Sequence, residues 1–407
     1  MTDTISASPV SEGTDGAAIP AGDPSADVFV RGADQDPGVV RLLAPDGTRT
    51  TDPAFDAYRR RVAHLDVAAL RGLYRDMVIT RRFDDEATSL QRQGELALFA
   101  QAKGQEAAQI GSGRALAAQD FVFPSYREHG VALTRGLDLP EILHLFRAQE
   151  HGGWDPAEFN FHLYTLVIGS HSLHATGYAM GVQRDGLVGT GDPDKDTAVV
   201  AYFGDGATSQ GDVSEALGFA AVNNAPVVFF CQNNQWAISV PTSTQSRVPI
   251  AERGPGFGVP SVRVDGNDVL ASYAVTAEAL ERARSGGGPT LIEAITFRTG
   301  AHTTSDDPTR YRTRAEEQYW EDRDPIARLE ALLRAEGGWD DAFATEVQAE
   351  ADALGVRVRD FVHALAAPAA ATMFDNVYAT EHAVVTAERT WFTDYQASFD
   401  DADGSHR

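Results

Sequence analysis

Cysteine is almost absent from this chain of 407 residues, which contains only Cys231. One cysteine cannot form an intrachain disulfide, so the sequence excludes a small fold held together by disulfides. Cys231 lies in the apolar run 227–231, which predicts a buried strand and argues against a catalytic thiol. A reducing compartment is therefore compatible with the sequence.

Basic residues are also few, because 34 Lys and Arg stand against 59 Asp and Glu and leave a net charge of -25. No cluster of Lys or Arg provides the positive surface that a phosphate backbone requires. We therefore expect neither nucleic acid nor an anionic membrane as a partner.

Long apolar runs are missing as well. No stretch approaches the roughly 18 apolar residues of a membrane span. The first residues carry neither the basic and apolar pattern of a secretory signal nor the arginines of a transit peptide. We expect a cytoplasmic protein.

The chain does have enough apolar material for a large core, since 43% of its residues are hydrophobic. Its length fits one large α/β unit or two fused units. Residues 1–36 are rich in Ala, Ser, Gly, Pro and Asp and predict a disordered acidic tail. An α/β region at 37–325 and a helical C-terminal region at 326–407 complete the predicted organisation.

Short apolar segments alternate with helical patterns through most of the α/β region. The predicted strands are 121–123, 198–203, 227–231, 262–264 and 291–297. The main predicted helices are 66–94, 105–117 and 210–223, followed by 326–333, 343–365 and 381–395 in the C-terminal region. This alternation predicts a doubly wound, mainly parallel sheet flanked by helices.

Several common ligand motifs are incomplete or missing. Gly189 and Gly191 resemble the start of a dinucleotide-binding loop. Asp194 occupies the position of the third glycine, so the sequence does not match the Rossmann fingerprint. Motifs of P-loop proteins, zincins, redox dithiols and esterases do not occur. Four histidines allow a metal cluster, although their irregular spacing favours packing or a cofactor pocket over zinc. They are His151, His162, His171 and His174.

The segment 198–239 carries the most specific signal. One apolar strand ends in Gly204-Asp205-Gly206, a helix follows, and the next strand ends in Asn233-Asn234. In a right-handed βαβ unit both strand ends lie at the same edge of the sheet, where open α/β sheets bind ligands. One carboxylate and one amide there leave room for phosphate oxygens around a hard cation such as Mg²⁺. A tight strand-to-helix turn followed by an unrelated loop is the alternative.

The Gly204-Asp205-Gly206 and Asn233-Asn234 motifs, with the sequence around them, resemble the α subunit of thiamine-diphosphate-dependent 2-oxo acid dehydrogenases. These enzymes are the first, decarboxylating component of their complexes. The resemblance runs from about Leu65 to beyond Tyr319. It implies a thiamine-diphosphate-binding α/β fold for residues 37–325. Further matching motifs are Gln91-Arg-Gln-Gly94, Gly104-Gln-Glu106, Ser125-Tyr-Arg-Glu128, Val264-Asp-Gly-Asn-Asp268 and Gly300-Ala-His-Thr-Thr-Ser-Asp-Asp307.

The resemblance implies a magnesium ion that bridges the two phosphates of thiamine diphosphate. Its ligands in this chain would be Asp205, Asn234 and the backbone carbonyl of Trp236. Gly206 and Ala207 keep the neighbouring turn small where the phosphates approach.

Other matching positions imply contacts with the rest of the cofactor. Tyr126, Arg127 and Arg298 match residues that bind the diphosphate, and arginine can make paired contacts with phosphate oxygens. Leu166 and Ile168 match positions that grip the aminopyrimidine ring. Without the motif, Arg127 could instead form a surface ion pair with the next residue, Glu128.

His302 matches the family's active-site histidine near the diphosphate and the reacting carbon. This residue is the catalytic candidate, for handling a proton or for orienting the lipoyl group. A histidine that only caps a strand is the alternative.

Three positions depart from the family pattern. Ala301 stands where branched-chain members carry a second histidine, so the resemblance does not fix the contacts of this loop. His171 stands where Gln is frequent, and the potassium site of some relatives is not carried over. Thr303 replaces a regulatory serine of mitochondrial relatives, and we expect no control by a kinase.

Nothing in the sequence matches the second, pyrimidine-binding thiamine domain. In two-subunit members that domain, with its activating glutamate, belongs to the β subunit. The resemblance therefore implies an α2β2 assembly that docks on a lipoyl-bearing acyltransferase.

The implied reaction is oxidative decarboxylation of a small-molecule 2-oxo acid with reductive acylation of the lipoyl group. Branched-chain substrates of the 3-methyl-2-oxobutanoate type are preferred, because the segments 253–258, 264–268 and 302–307 look most like branched-chain members. A pyruvate dehydrogenase α subunit is the alternative. A non-catalytic scaffold and a self-sufficient thiamine lyase remain as further hypotheses.

Overall fold

The computed structural model describes residue 36 and residues 38–400. The predicted disordered tail lies outside these residues, apart from Asp36, and stays a prediction. The described part contains a six-stranded sheet, all of whose strand pairs are parallel, in the order β1-β7-β8-β4-β3-β2. A short antiparallel hairpin, β5–β6, is separate from this sheet. The strands are β1 (Val39–Val40), β2 (Phe121–Phe123), β3 (Val199–Gly204), β4 (Val227–Asn233), β5 (Trp236–Ala237), β6 (Val240–Pro241), β7 (Ser261–Asp265) and β8 (Thr290–Ile295).

Helices cover both faces of the sheet, which confirms the predicted doubly wound architecture. Alternate residues of the strands point to opposite faces, so Phe203 and Phe229 pack on one side while Tyr202 and Phe230 pack on the other. Burial on both faces explains why the strands are continuous apolar runs without polar alternation. The helices are α1 (Asp56–Val62), α2 (Val67–Arg92), α3 (Glu106–Arg114), α4 (His129–Thr134), α5 (Leu143–Phe146), α6 (Pro156–Phe159), α7 (Ser170–Arg184), α8 (Gly211–Asn223), α9 (Thr242–Gln245), α10 (Arg253–Gly256), α11 (Val269–Arg284), α12 (Arg314–Glu321), α13 (Pro325–Ala335), α14 (Asp341–Ala364) and α15 (Ala383–Asp400).

The long helix α2 has clear start and stop signals. The Asp66 carboxylate accepts a hydrogen bond from the Ala69 N–H at 2.9 Å and caps the first turn. After Arg92 the chain leaves the helix through Gly94, whose φ of 84° favours glycine. The helix lies within the predicted range 66–94.

The C-terminal helices are confirmed within a few residues of their predicted bounds. Helix α14 packs along α2, and its Val358 and Val362 are fully buried. Leu329 of α13 and Val358 belong to the same core cluster as Val200 of the sheet. The division between 325 and 326 stays a prediction.

The last helix, α15, is different because its aromatic side chains are mostly exposed. Trp391 is 66% exposed and stacks on Tyr395, with 5.4 Å between the ring centroids. Within residue 36 and residues 38–400, no helix is both long enough and apolar enough to cross a membrane.

Candidate active site

A cavity of about 250 Å³ opens at the carboxyl ends of β2, β3, β4 and β8. Ligands of open α/β sheets bind at this edge. Of the site residues predicted from the sequence, all except Leu166 line this one cavity. They are Tyr126, Arg127, Ile168, Asp205, Gly206, Ala207, Asn234, Trp236, Arg298 and His302.

Asp205 and Asn234 are brought to the cavity by neighbouring parallel strands. Gly204 at the end of β3 pairs with Gln232 near the end of β4, so the next residues of both strands lie at one edge. Asp205 is 2% exposed, and its Oδ2 accepts hydrogen bonds from Thr242 Oγ1 at 3.1 Å and Gln245 Nε2 at 2.9 Å. Burial raises the pKa of the Asp205 carboxyl, and this effect outweighs the opposing hydrogen bonds from Gln245 and Thr242 and the positive charge of Arg298.

The other two predicted metal ligands are neutral oxygens. Asn234 Oδ1 accepts a hydrogen bond from the Trp236 N–H at 3.3 Å, and the Trp236 carbonyl accepts one from Arg298 at 2.8 Å. A carboxylate, an amide oxygen and a carbonyl oxygen are the donor types that Mg²⁺ prefers. In the described part of the chain, no three His, Cys, Asp or Glu side chains form a cluster that could hold a metal. A cation here would therefore depend on neutral oxygens and on ligand oxygens as well as on Asp205.

Two buried guanidinium groups give the cavity its positive charge. Arg127 donates to the backbone carbonyls of Gln101 and His302, and Arg298 donates to those of Trp236 and Ile238. Neither guanidinium group has a nitrogen within 4.0 Å of a carboxylate oxygen among the described residues. The buried Nε of Arg298 also has no hydrogen-bond partner. Two buried cations without a direct ion pair fit an anionic ligand such as a diphosphate.

The charges around His302 affect its protonation. Burial, followed by repulsion from Arg127 and Arg298, lowers the pKa of His302 to about 3. Its Nδ1 lies 3.4 Å from an Arg127 nitrogen. The imidazole is therefore neutral at physiological pH, and an anion bound between the arginines would raise its pKa.

The turn after β3 is closed over by the hairpin β5–β6. A Cβ on Gly206 would lie 2.7 Å from the Cβ of Ala237, so the hairpin leaves no room for a side chain. Two non-glycine residues of this hairpin have positive φ. Gln235, just before β5, has a φ of 75°, and Ile238, in the turn between β5 and β6, has a φ of 56°. Because Arg298 donates to the Trp236 and Ile238 carbonyls, it connects the loop after β8 to this hairpin.

The residues matched to the aminopyrimidine lie at the open side. Ile168 lines the cavity and is 39% exposed, whereas Leu166 is 56% exposed and is not part of the wall. Tyr126 lies on the wall near His302, with 6.4 Å between the ring centroids. The contact of Leu166 with a cofactor stays a prediction.

The family of the chain follows from a comparison with known protein families. Residues 74–362 match the dehydrogenase E1 component. The chain belongs to this family. Membership implies thiamine diphosphate as the cofactor, in agreement with the resemblance and with the anion-binding character of the cavity.

Individual members of the dehydrogenase E1 family are similar over most of this chain. A 3-methyl-2-oxobutanoate dehydrogenase subunit alpha from Mycobacterium tuberculosis (strain CDC 1551 / Oshkosh) is 47% identical over 348 residues, 85% of this chain and 90% of that protein. A pyruvate dehydrogenase E1 component subunit alpha from Bacillus subtilis (strain 168) is 42% identical over 66% of this chain and 71% of that protein. A protein of the same name from Acholeplasma laidlawii is 43% identical over 66% of this chain and 76% of that protein.

Sequence reasoning missed a buried polar network on the wall of the cavity. Glu128 is 1% exposed and does not form an ion pair with the Arg127 side chain. Instead it accepts hydrogen bonds from Ser125 Oγ at 2.8 Å and Gln232 Nε2 at 2.7 Å. Burial raises the pKa of Glu128 to about 6. Its place in the Ser125–Glu128 motif was the available signal, but sequence could not reveal its burial.

His171 also lines the cavity, and the sequence pattern favours packing or a cofactor pocket for it without indicating a contact. Its Nε2 lies 2.6 Å from the Tyr202 carbonyl, and its Nδ1 has no partner. Burial lowers the pKa of His171 to about 4. The ring is therefore neutral, with the Nε2 proton directed to the carbonyl.

Proposed function

We propose that this chain is the α subunit of the decarboxylating component of a branched-chain 2-oxo acid dehydrogenase complex. With its β subunit it catalyses thiamine-diphosphate-dependent oxidative decarboxylation of 2-oxo acids of the 3-methyl-2-oxobutanoate type and acylates a lipoyl group. The observation that carries this proposal is the cavity itself. It combines Arg127 and Arg298, both without a carboxylate partner, with Asp205, Asn234 and His302.

The charged and metal-binding groups predicted from the sequence each have a defined task in this proposal. Arg127 and Arg298 hold the diphosphate, while Asp205, Asn234 and the Trp236 carbonyl hold Mg²⁺. When bound, thiamine diphosphate supplies the electron sink that decarboxylation requires. The net charge of -25 makes local positive charge necessary for holding a diphosphate.

His302 accepts or donates a proton beside the reacting group. Its neutral state leaves one nitrogen free to accept a proton, and the bound diphosphate offsets the two arginines that disfavour the charged imidazole. The carbonyl of His302 accepts from Arg127, which fixes the position of the loop that carries the ring.

The substrate preference can be tested by measuring turnover of the chain co-expressed with its β subunit. We expect lipoyl acylation with 3-methyl-2-oxobutanoate to exceed that with pyruvate, since the 47% identical relative carries that name and is matched over 90% of its length. A large preference for pyruvate would instead support the alternative, which the Bacillus subtilis relative favours.

This chain has a surface that is suited to binding the expected β subunit at the mouth of the cavity. Two exposed apolar segments border it, 166–168 and 238–240, and each places one isoleucine on the cavity wall. Val167 is 70% exposed, and a large exposed apolar patch indicates a protein interface. Val167→Asp should weaken capture of the β subunit. Val356→Asp, at a 61% exposed valine on α14, is the matched control and should not.

Two experiments address the remaining hypotheses. Calorimetric titration of the αβ complex with Mg²⁺ and thiamine diphosphate should give saturable binding, and its absence would favour a non-catalytic scaffold. Decarboxylation by the purified chain alone would favour a self-sufficient lyase. We further propose an α2β2 assembly, docking on a lipoyl-bearing acyltransferase, and a cytoplasmic location.

A further inference from the structure

Gln105 is a fully buried residue on the wall of the cavity, in a motif to which no role has yet been assigned. Its Oε1 accepts a hydrogen bond from Asn234 Nδ2 at 3.1 Å, across 129 positions of the chain. Its Nε2 donates to the Ala102 carbonyl at 3.4 Å. Gln105 therefore connects the backbone before α3 with the amide that the proposed metal site uses.

The two ends of this series of hydrogen bonds fix its direction. The Ala102 carbonyl can only accept, so it holds the NH₂ group of Gln105 and turns Oε1 towards Asn234. The Trp236 N–H can only donate, so it holds Asn234 Oδ1. Flipping either amide would place two donors or two acceptors against each other in a buried position, which costs free energy.

The local backbone keeps Gln105 in place. Gly104 has a φ of 93°, and a Cβ there would lie 2.1 Å from the Phe297 carbonyl oxygen. The Gly104 carbonyl accepts from Thr296 Oγ1 at 2.9 Å, and its N–H donates to Glu106 Oε2 at 2.9 Å. Glu106 also pairs with Arg81 at 2.8 Å. The Gly104–Glu106 motif thus anchors the residue between its glycine and its glutamate.

We infer that Gln105 is a positioning residue that holds the Asn234 amide with its oxygen, and not its NH₂ group, available to the divalent cation. Without Gln105, Asn234 Nδ2 loses its acceptor and the amide can rotate. Rotation would present N–H groups to the cation, and an NH₂ group cannot ligate it. This inference rests on the proposed function, because it assumes that Asn234 is a metal ligand.

A double-mutant cycle on the αβ complex tests the inference, with Mn²⁺ binding in the presence of thiamine diphosphate followed by electron paramagnetic resonance. Gln105→Met removes the acceptor with little change in size, and we expect it to weaken Mn²⁺ binding at least about tenfold. Asn234→Asp makes both terminal atoms oxygens, so orientation no longer matters. In that background Gln105 has no donor to hold, so Gln105→Met should not weaken Mn²⁺ binding by more than about twofold.

Two further variants separate positioning from folding. As a protonated, buried acid, Gln105→Glu keeps an acceptor facing Asn234 and a donor for the Ala102 carbonyl, and its Mn²⁺ affinity should stay within about threefold of the unsubstituted complex. If Gln105→Met does not fold, a tenfold loss in Gln105→Glu would still overturn the inference. Gln119→Leu is the control, since the Gln119 amide, like that of Gln105, donates to the backbone, here to two carbonyls, but lies outside the cavity.

The possible outcomes distinguish this inference from the proposed function. Equal losses in the Asn234 and Asn234→Asp backgrounds would assign Gln105 a purely structural role and overturn the inference alone. Absence of saturable Mn²⁺ and thiamine diphosphate binding by the unsubstituted complex would overturn the proposed function, and the inference with it.

Discussion

The structure requires glycine at position 104, and it allows the loss of folding stability on substitution to be worked out. Gly104 and Gly94 both have positive φ, 93° and 84°, but only Gly104 is blocked at the Cβ position, by the Phe297 carbonyl at 2.1 Å. A side chain at positive φ costs roughly 1–2 kcal/mol, and forced overpacking adds about 1–3 kcal/mol. Gly104→Ala should therefore lower the free energy of unfolding by about 2–5 kcal/mol.

Two other glycines act as controls in the same urea-unfolding experiment. At Gly94 an added Cβ would meet nothing within 4 Å, so Gly94→Ala should cost only the roughly 1–2 kcal/mol of its backbone conformation. Gly72 lies inside α2 with nothing within 4 Å, so Gly72→Ala should stabilise by roughly 0.5–1 kcal/mol. If Gly104→Ala is no more destabilising than Gly94→Ala, the close approach to Phe297 is not what selects glycine and the reasoning is wrong.

Three further predictions concern packing, pH and charge. Val358→Ala should destabilise by about 2 kcal/mol, whereas Val356→Ala on the exposed side of α14 should stay within about 0.5 kcal/mol; equal effects in urea unfolding would contradict the packing of α14. Because burial raises the pKa of Glu128 to about 6, the folded state binds this proton more tightly than the unfolded state. Roughly 2 kcal/mol of stability should therefore be lost as pH rises from about 4.5 to 6, and Glu128→Gln should remove that part of the pH dependence. Arg298→Met should raise the pKa of His302 from about 3, as measured by NMR titration, and an unchanged value would mean that burial and Arg127 set it without Arg298.

Several elements could be predicted because their signals are local. The capping residue Asp66 and the exit at Gly94 mark the ends of α2, and the apolar runs mark β3 and β4. Strand β1 and the hairpin β5–β6 were missed because each of their strands has only two residues. A segment of that length shows no periodicity, and its pairing depends on distant residues.

The candidate site was predictable where one motif carried several of its groups. Asp205 and Asn234 follow consecutive parallel strands, so the βαβ rule places them at one edge of the sheet. Leu166 and Ile168 lie in one loop, and of these two only Ile168 lines the cavity. Spacing along the chain does not specify which side chain of a loop faces a cavity.

By itself, the amino-acid sequence determined the order of the main helices and strands, the family and the types of group available for chemistry, because these depend on neighbouring residues and on motifs. Only the tertiary structure decided which polar atoms became buried and what they bond. It made Glu128 a buried carboxyl without an ion pair to the Arg127 side chain and placed Gln105 against Asn234. Desolvation and hydrogen-bond direction arise from contacts between distant segments, and these contacts form only when the sheet and its helices pack together.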